Sequence, residues 1–352
     1  MSGPVLMPAE WEPHAATWIA WPHNRDDWPG KFPPIPWVYA EIVRRLLPHE
    51  KVRILVNSAA HESTARRILS KAGAFSADVE FFHIPTNRTW ARDFGPIHVR
   101  CGQPPAALAI AGFRFNAWAK YPDWELDCQV SRRIAETTGR AFVPADFVLE
   151  GGSIDVNGRG SLLTTEECLL DSEVQVRNPG ADRGEVEAVL ERSLGARHVL
   201  WLGRGIAGDD THGHVDDVCR FTGATTIVLC QEPDPGDANH RLLEENRERL
   251  EGLRLEDGTR PRVARLPMPA PLFHSGRRLP ASYANFYIAN GTVLVPTFND
   301  PMDRHALGII ADLFPGRTVV GIHAVDLVWG LGTLHCLTQQ EPREAPLTSG
   351  TG

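Results

Sequence analysis

The sequence predicts a mixed α/β fold built as a closed ring of five repeated units. Three observations predict it. Apolar strand–turn–strand pairs recur along the chain, helix-like stretches separate them, and each end carries an apolar run that can pair with the other. Units of this kind cannot bury their apolar faces alone and must pack against neighbours. Joining the two ends would remove open sheet edges and complete the ring.

Taken in order, the first element is the N-terminal run ATWIAWP (16–22). Four strand pairs follow, PIHVR with AALAIAG (96–112), SIDV with SLLTT (153–165), VCRF with TTIVLC (218–230) and NFYI with TVLVPTF (285–298). Each pair turns at a glycine, Gly102, Gly158, Gly223 and Gly291, as tight hairpins require. The helix-like stretches are 125–138, 182–194, 238–252 and 303–313. The C-terminal run TLHCLTQ (333–339) supplies the partner for 16–22. No internal linker is visible, so residues 1–340 read as one domain and 341–352, EPREAPLTSGTG, as a flexible tail.

Composition closes other routes. The chain has 352 residues, 42% hydrophobic and 23% charged, a globular balance that excludes wholesale disorder. The 31 glycines and 28 prolines suit short strands and tight turns better than a helical bundle. No apolar run approaches the roughly 18 residues needed to cross a bilayer, and the start lacks the pattern of a secretion signal. The six cysteines (101, 128, 168, 219, 230, 336) form no CxxC pair, so a reduced, cytoplasmic protein is expected, without a disulfide framework. A net charge of −8 aids solubility, argues against nucleic acid and favours a cationic partner.

Four segments place reactive side chains beside glycine at strand entries: TWARDFGP (89–96), LEGGS (149–153), GDDTHGHVDD (208–217) and GLGTLHC (330–336). Equivalent places in a ring of repeats lie around its axis, so these segments can converge. Asp93 after Arg92 has a plain alternative as a surface ion pair, and Glu150 as a turn residue. Two histidines and four carboxylates within residues 209–217, leading straight into apolar strand, are harder to read as solvated charge. Cys336 follows a glycine-spaced loop and a histidine. The other five cysteines read as small buried hydrophobes.

Cysteine with histidine suits covalent nucleophilic catalysis. Carboxylates around the thiol would repel a developing oxyanion, which argues against a peptidase. They suit a guanidinium, whose paired N–H donors match carboxylates bidentately and leave its carbon open to the thiol. The residues therefore point to guanidine hydrolysis. One rival reading is a metal-dependent hydrolase, because His212, His214 and Asp216 have an H-x-H-x-D spacing. His240, His274, His305 and His323 are too dispersed to complete such a set.

The run MPAEWEPH (7–14), together with TWARDFGP, EGGS, GDDTHGHVDD and LHCLTQQ, resembles the agmatine deiminase family and its relatives, the bacterial-type peptidylarginine deiminases, over residues 7–340. The resemblance implies the pentein fold, a five-bladed pseudo-fivefold α/β propeller of ββαβ-type repeats, forming one catalytic domain with its site in the central channel. It implies hydrolysis of a small cationic guanidine, with agmatine to N-carbamoylputrescine as the leading reaction, through an amidino-cysteine and without metal or organic cofactor. On matching positions Cys336 is the nucleophile, His214 the general acid and base, and Asp93 and Asp216 the guanidinium's partners. Asp210, Trp90 and Glu150 are implied substrate-binding residues, and a homo-oligomer is mildly favoured. Peptidylarginine deimination and amidino transfer to an amine are the alternatives within that chemistry. Members typically carry Asp-Gly-His where this chain has His212-Gly213-His214, and Gly-Gly-Gly-Asn-Ile-His-Cys where it has GLGTLHC. Leu331, Thr333 and His212 are thus the expected seats of altered specificity.

Overall fold

A computed structural model describes residues 4–103 and 106–344. The chain is mixed α/β, and one pairing scheme occurs five times: an antiparallel pair whose second strand also pairs in parallel with a third. Parallel pairing requires a crossover, and helices supply it. In the first sheet His14–Ala20 lies antiparallel to Thr338–Pro342 and parallel to Lys51–Val56, with Val79–His83 beyond. The chain ends are thus joined, Thr338 facing Ile19 and Gln340 facing Thr17. The second sheet runs Ile97–Cys101, Ala107–Arg114, Ala141–Val148, with Val5–Leu6 added at its edge. The third is Asp155–Val156, Ser161–Thr165, His198–Leu202, and the fourth Cys219–Gly223, Thr226–Gln231, Arg262–Pro267. The fifth is Tyr287–Ile288, Thr292–Thr297, Thr318–His323. A small hairpin, Phe273–His274 with Arg277–Arg278, stands apart, and among the described residues no strands close into a single barrel.

The crossover helices follow their sequence signals. Arg183–Leu194 starts at Asp182, which forms a capping box with Glu185, and stops at Gly195. Ala238–Gly252 is capped by Asp237, and Met302–Leu313 matches the last expected helix. The helix expected from 125 begins at Val130, after a 3-10 turn at Asp127–Gln129. Residues ahead of it are held elsewhere: Asp127 is buried and accepts from the Asn87 amide, and Asn87 accepts from the Leu126 amide. Two further helices, Ile35–Leu46 and Ala59–Lys71, cross over within the first sheet. The terminal strand runs two residues further than the expected domain end, so Glu341 and Pro342 belong to the sheet rather than to a tail. Glu341 is buried and paired with Arg53 and Arg140, which explains why the strand continues. The remainder of the expected tail from 345 onward lies outside the described residues.

Two apolar clusters fill the space between the layers. The larger includes Trp18, Ile54, Phe221 and Tyr283, and the smaller includes Met7, Val99, Leu162 and Leu190. Buried charge lies alongside this core: Glu10, Arg92, Asp155, Arg220 and His335 are all nearly inaccessible to solvent. Among the described residues, no helix is long and apolar enough to cross a membrane.

Candidate active site

Glu10 is the hub of that buried charge. Its Oε2 accepts from Arg220 at 3.0 Å and from Arg92 at 3.3 Å, and it meets His335 Nε2 at 2.8 Å. Its Oε1 accepts from the Ile288 amide at 2.8 Å. Arg220 in turn donates to Asp155 at 2.8 Å. Removing one member would strand an uncompensated buried charge, a cost on the order of 3–5 kcal/mol. These groups tie the N-terminal segment, three hairpins and the segment around residue 335 together, and the four reactive segments stand on this platform.

Asp93 lies in the one-turn helix Ala91–Phe94, fully buried. Its Oδ1 accepts from the Gly152 amide at 3.0 Å and its Oδ2 from the Trp118 indole at 2.8 Å. Burial pushes its carboxyl up to about 6; His214 opposes the rise, and Asp216 and Glu150 add to it. Trp118 reaches it from a left-handed turn in which Ala117, Trp118 and Ala119 all have positive φ. Gly152 has to be glycine, because a Cβ there would sit 2.6 Å from His214 Nδ1 and 2.8 Å from Asp93 Oδ1.

The segment 208–217 is shaped by Asp209. Its Oδ1 accepts from the Thr211 amide at 2.8 Å, and its Oδ2 from the amides of Gly213 and His214 at 2.7 and 3.1 Å. This turn, with φ of +94° at Gly213, drives His214 inward to 1% exposure. Its Nδ1 lies 3.8 Å from Asp93 Oδ1 and 4.0 Å from Asp216 Oδ1. Burial disfavours its protonated form, but Asp93, Cys168 and Asp216 outweigh burial and hold the imidazole well above its ordinary value. Asp216 bonds His335 Nδ1 at 2.7 Å. Burial would raise this carboxyl as well, yet His335, His214 and Arg220 keep it below the usual range and ionised.

Cys336 lies in the one-turn helix Leu334–Leu337, its Sγ 3.8 Å from Asp216 Oδ2. Asn285 organises the approach to it. Its Oδ1 accepts from the Thr333 hydroxyl at 2.7 Å and the His335 amide at 3.0 Å, and its Nδ2 donates to Asp217 at 3.0 Å and to Cys336 Sγ at 3.2 Å. Burial, then Asp216, Asp217 and Asp93, push the thiol well above its ordinary value. The thiol opens on a cavity of about 280 Å³ lined by Trp90, Asp93, Trp118, Tyr121, Arg88, Asp210 and Leu331. The site therefore pairs a protonated thiol with carboxylates of which one is firmly ionised, an arrangement that a cation entering the cavity would relax.

Of the residues expected from sequence, Cys336, His214, Asp93 and Asp216 converge. Trp90 lines the cavity and packs on Trp28, ring centroids 5.3 Å apart. Asp210 lies at the rim, but its oxygens are already engaged by Lys120 and Tyr121, each at 2.7 Å, and by Arg277. Glu150 does not line the cavity. It is sealed behind His214, one oxygen accepting from Arg177 at 3.0 Å. His212 turns away with φ of +62° and bonds Asp171 at 2.8 Å, so His212, His214 and Asp216 do not form the ligand set that their spacing suggested. Sequence reasoning missed Glu10, Asn285, Trp118 and His335. Two of these left a signal, His335 by adjoining Cys336 and Glu10 by lying in the MPAEWEPH run.

A buried thiol and carboxylate on one small cavity, with an imidazole and a second carboxylate within 4 Å of them, in a fold shared with agmatine deiminases, mark a hydrolase acting on the carbon–nitrogen bonds of amidines. The chain belongs to the Porphyromonas-type peptidyl-arginine deiminase family, whose model matches residues 6–342. It is 34% identical to an agmatine deiminase of Ectopseudomonas mendocina over 96% of this chain and 95% of that protein. An Enterococcus faecalis agmatine deiminase superposes with a TM-score of 0.89 at 30% identity, covering 97% of each chain. A substrate-bound C. jejuni agmatine deiminase superposes with a TM-score of 0.86, also at 30% identity and 97% of each chain.

Proposed function

We propose that this enzyme hydrolyses a small alkylguanidine to the corresponding urea and ammonia through a covalent adduct on Cys336, with agmatine as the leading substrate. The observation that carries the reading is the placing of Cys336 Sγ at the cavity wall, 3.8 Å from ionised Asp216, with Asp93 on the same cavity and His214 behind them. Asp93 and Asp216 hold the guanidinium planar and charged. Its positive charge offsets the carboxylates that keep the thiol protonated, so substrate binding itself favours the thiolate.

The thiolate attacks the guanidinium carbon, and the C–N bond to one unsubstituted nitrogen breaks. His214 gives that nitrogen its proton and ammonia leaves, so a thiouronium remains on Cys336. Neutral His214 then takes a proton from water as the oxygen adds to the same carbon. The C–S bond breaks, releasing the urea and restoring the thiol. Trp90 and Trp118 wall the substrate. Glu150 acts from behind His214 as a positioning residue. We further read the five equivalent sheets as blades of a pseudo-fivefold propeller, one catalytic domain whose axis carries the site. The six free cysteines support a reducing, cytoplasmic setting.

The rim favours a second reading of the substrate alone. Lys120, Tyr121 and Arg277 occupy Asp210, so an amine tail would have to be met by Asp26 or Asp27 on the same cavity, whereas a guanidine with a neutral tail needs no such partner. Ammonia release from agmatine, free arginine, an arginyl peptide and simple alkylguanidines, with and without thiol alkylation, tests both readings. Alkylation-sensitive release from agmatine supports the first. Release from another guanidine alone keeps the chemistry and transfers the substrate. Release that survives alkylation of Cys336 refutes the mechanism.

A further inference from the structure

We propose that Glu150, Cys168 and His214 form an inhibitory binding site for a borderline-soft divalent cation, with zinc the fitting ion. One ligand atom from each, a carboxylate oxygen, a thiol sulfur and an imidazole nitrogen, lies within 4.8 Å of the others, and all three residues are buried. These are the donor types that zinc prefers, and a thiolate selects against calcium or magnesium. Glu150 Oε2 and both ring nitrogens of His214 are buried without a hydrogen-bond partner, so a carboxylate oxygen and, once the imidazole is neutral, one of its nitrogens are free to bind an ion. Zinc bonds of about 2.0–2.3 Å would draw the ligands in by about an ångström.

The surroundings prepare the site. Thr165 caps the short helix Glu166–Leu170 by accepting from the Cys168 amide at 3.1 Å, and its hydroxyl donates to the Gly213 carbonyl at 2.5 Å. One side chain therefore fixes Cys168 relative to the turn that carries His214. Arg177, donating to Glu150 Oε1 at 3.0 Å, leaves Oε2 as the free oxygen. Thiolate and carboxylate together match the dication's charge, and Asp93, 3.8 Å from His214 Nδ1, offsets the nearby arginine. Binding expels the thiol proton and any imidazole proton to solvent.

A His214 nitrogen bound to the ion has no lone pair left for proton transfer. That consequence rests on the role proposed above for His214, whereas the binding itself does not. Cys168 does not touch the reacting atoms, so the zinc sensitivity of its variants, read relative to each variant's own basal rate, separates the two.

The test uses the full-length protein with cobalt chloride and zinc chloride as probes. Wild type and Cys336→Ala are expected to take up one cobalt with a thiolate-to-metal charge-transfer band that zinc bleaches. Cys168→Ala and Cys168→Ser should lose the band, and ammonia release in them should become at least about tenfold less sensitive to zinc. A band that persists without Cys168, or that vanishes only without Cys336, overturns the proposal, as does no band in wild type. Should both Cys168 variants fail to fold, the Cys336→Ala protein decides: stoichiometric cobalt with the thiolate band upholds the site, and its absence overturns it. Cobalt held by Cys168 without loss of ammonia release upholds the site and instead overturns the role of His214.

Discussion

Replacing Asp216 by asparagine removes one of the carboxylates that hold the Cys336 thiol protonated. The carboxylate is ionised and its Oδ2 lies 3.8 Å from the sulfur, with both groups buried. At an effective dielectric near 20, a unit charge at that distance disfavours the thiolate by about 4 kcal/mol. Losing it should lower the thiol pKa, because the thiolate no longer faces that charge. Asp217 and Asp93 remain, so the thiol stays partly suppressed. The assay is the rate of Cys336 alkylation by iodoacetamide against pH, with the modified peptide identified by mass spectrometry. Wild type should react slowly, with a rate still climbing at the alkaline end, whereas Asp216→Asn should reach its plateau far sooner. Turnover should move the other way and fall by about a hundredfold or more, because the guanidinium loses an ionic partner. A nucleophile more reactive toward a neutral reagent in a slower enzyme is the distinguishing pair. An alkylation midpoint unmoved or raised in the variant would refute the electrostatic account.

Three further outcomes are expected. Trp118→Phe removes the donor at 2.8 Å from Asp93, whose carboxyl already lies at about 6. Because Asp93 must be ionised to hold the cation, kcat/KM falls as pH drops through that value; loss of a bond worth about 1.5–3 kcal/mol should move this acid limb upward by about one to two pH units. Gly152→Ala brings a methyl against His214 and Asp93, so kcat should drop about a hundredfold with little change in circular dichroism, since displacements near an ångström carry such costs. Leu331 holds φ of +71°, and Leu331→Gly should raise stability in urea unfolding by about 1 kcal/mol, because a left-handed conformation is cheap for glycine alone.

The hairpins were legible in sequence because each alternates apolar runs around a turn glycine, and the pairing of the chain ends because both runs are too apolar to stay uncovered. The helix Ile35–Leu46 was not among the expected elements; Pro34 and Pro36 stand at its start, where proline interrupts no intrahelical bond. The reacting set was visible in short segments that carry their own glycines. What sequence did not show is whatever depends on contacts between distant segments. Asn285 looked like plain strand, yet it holds Thr333, His335 and Cys336 in place. His212 was expected near the substrate, but the turn built by Asp209 rotates it toward Asp171. Asp210 had the expected position and not the expected freedom, because Lys120 and Arg277 arrive from segments far apart in the chain.

Acid-quenched mass spectrometry of the enzyme during turnover of a guanidine that it consumes tests the central claim most directly. The account predicts a substrate adduct, lighter than the substrate by one ammonia, confined to the peptide bearing Cys336, and absent together with ammonia release in Cys336→Ser. Ammonia release at the native rate by Cys336→Ser, or an adduct on any other residue, would contradict it.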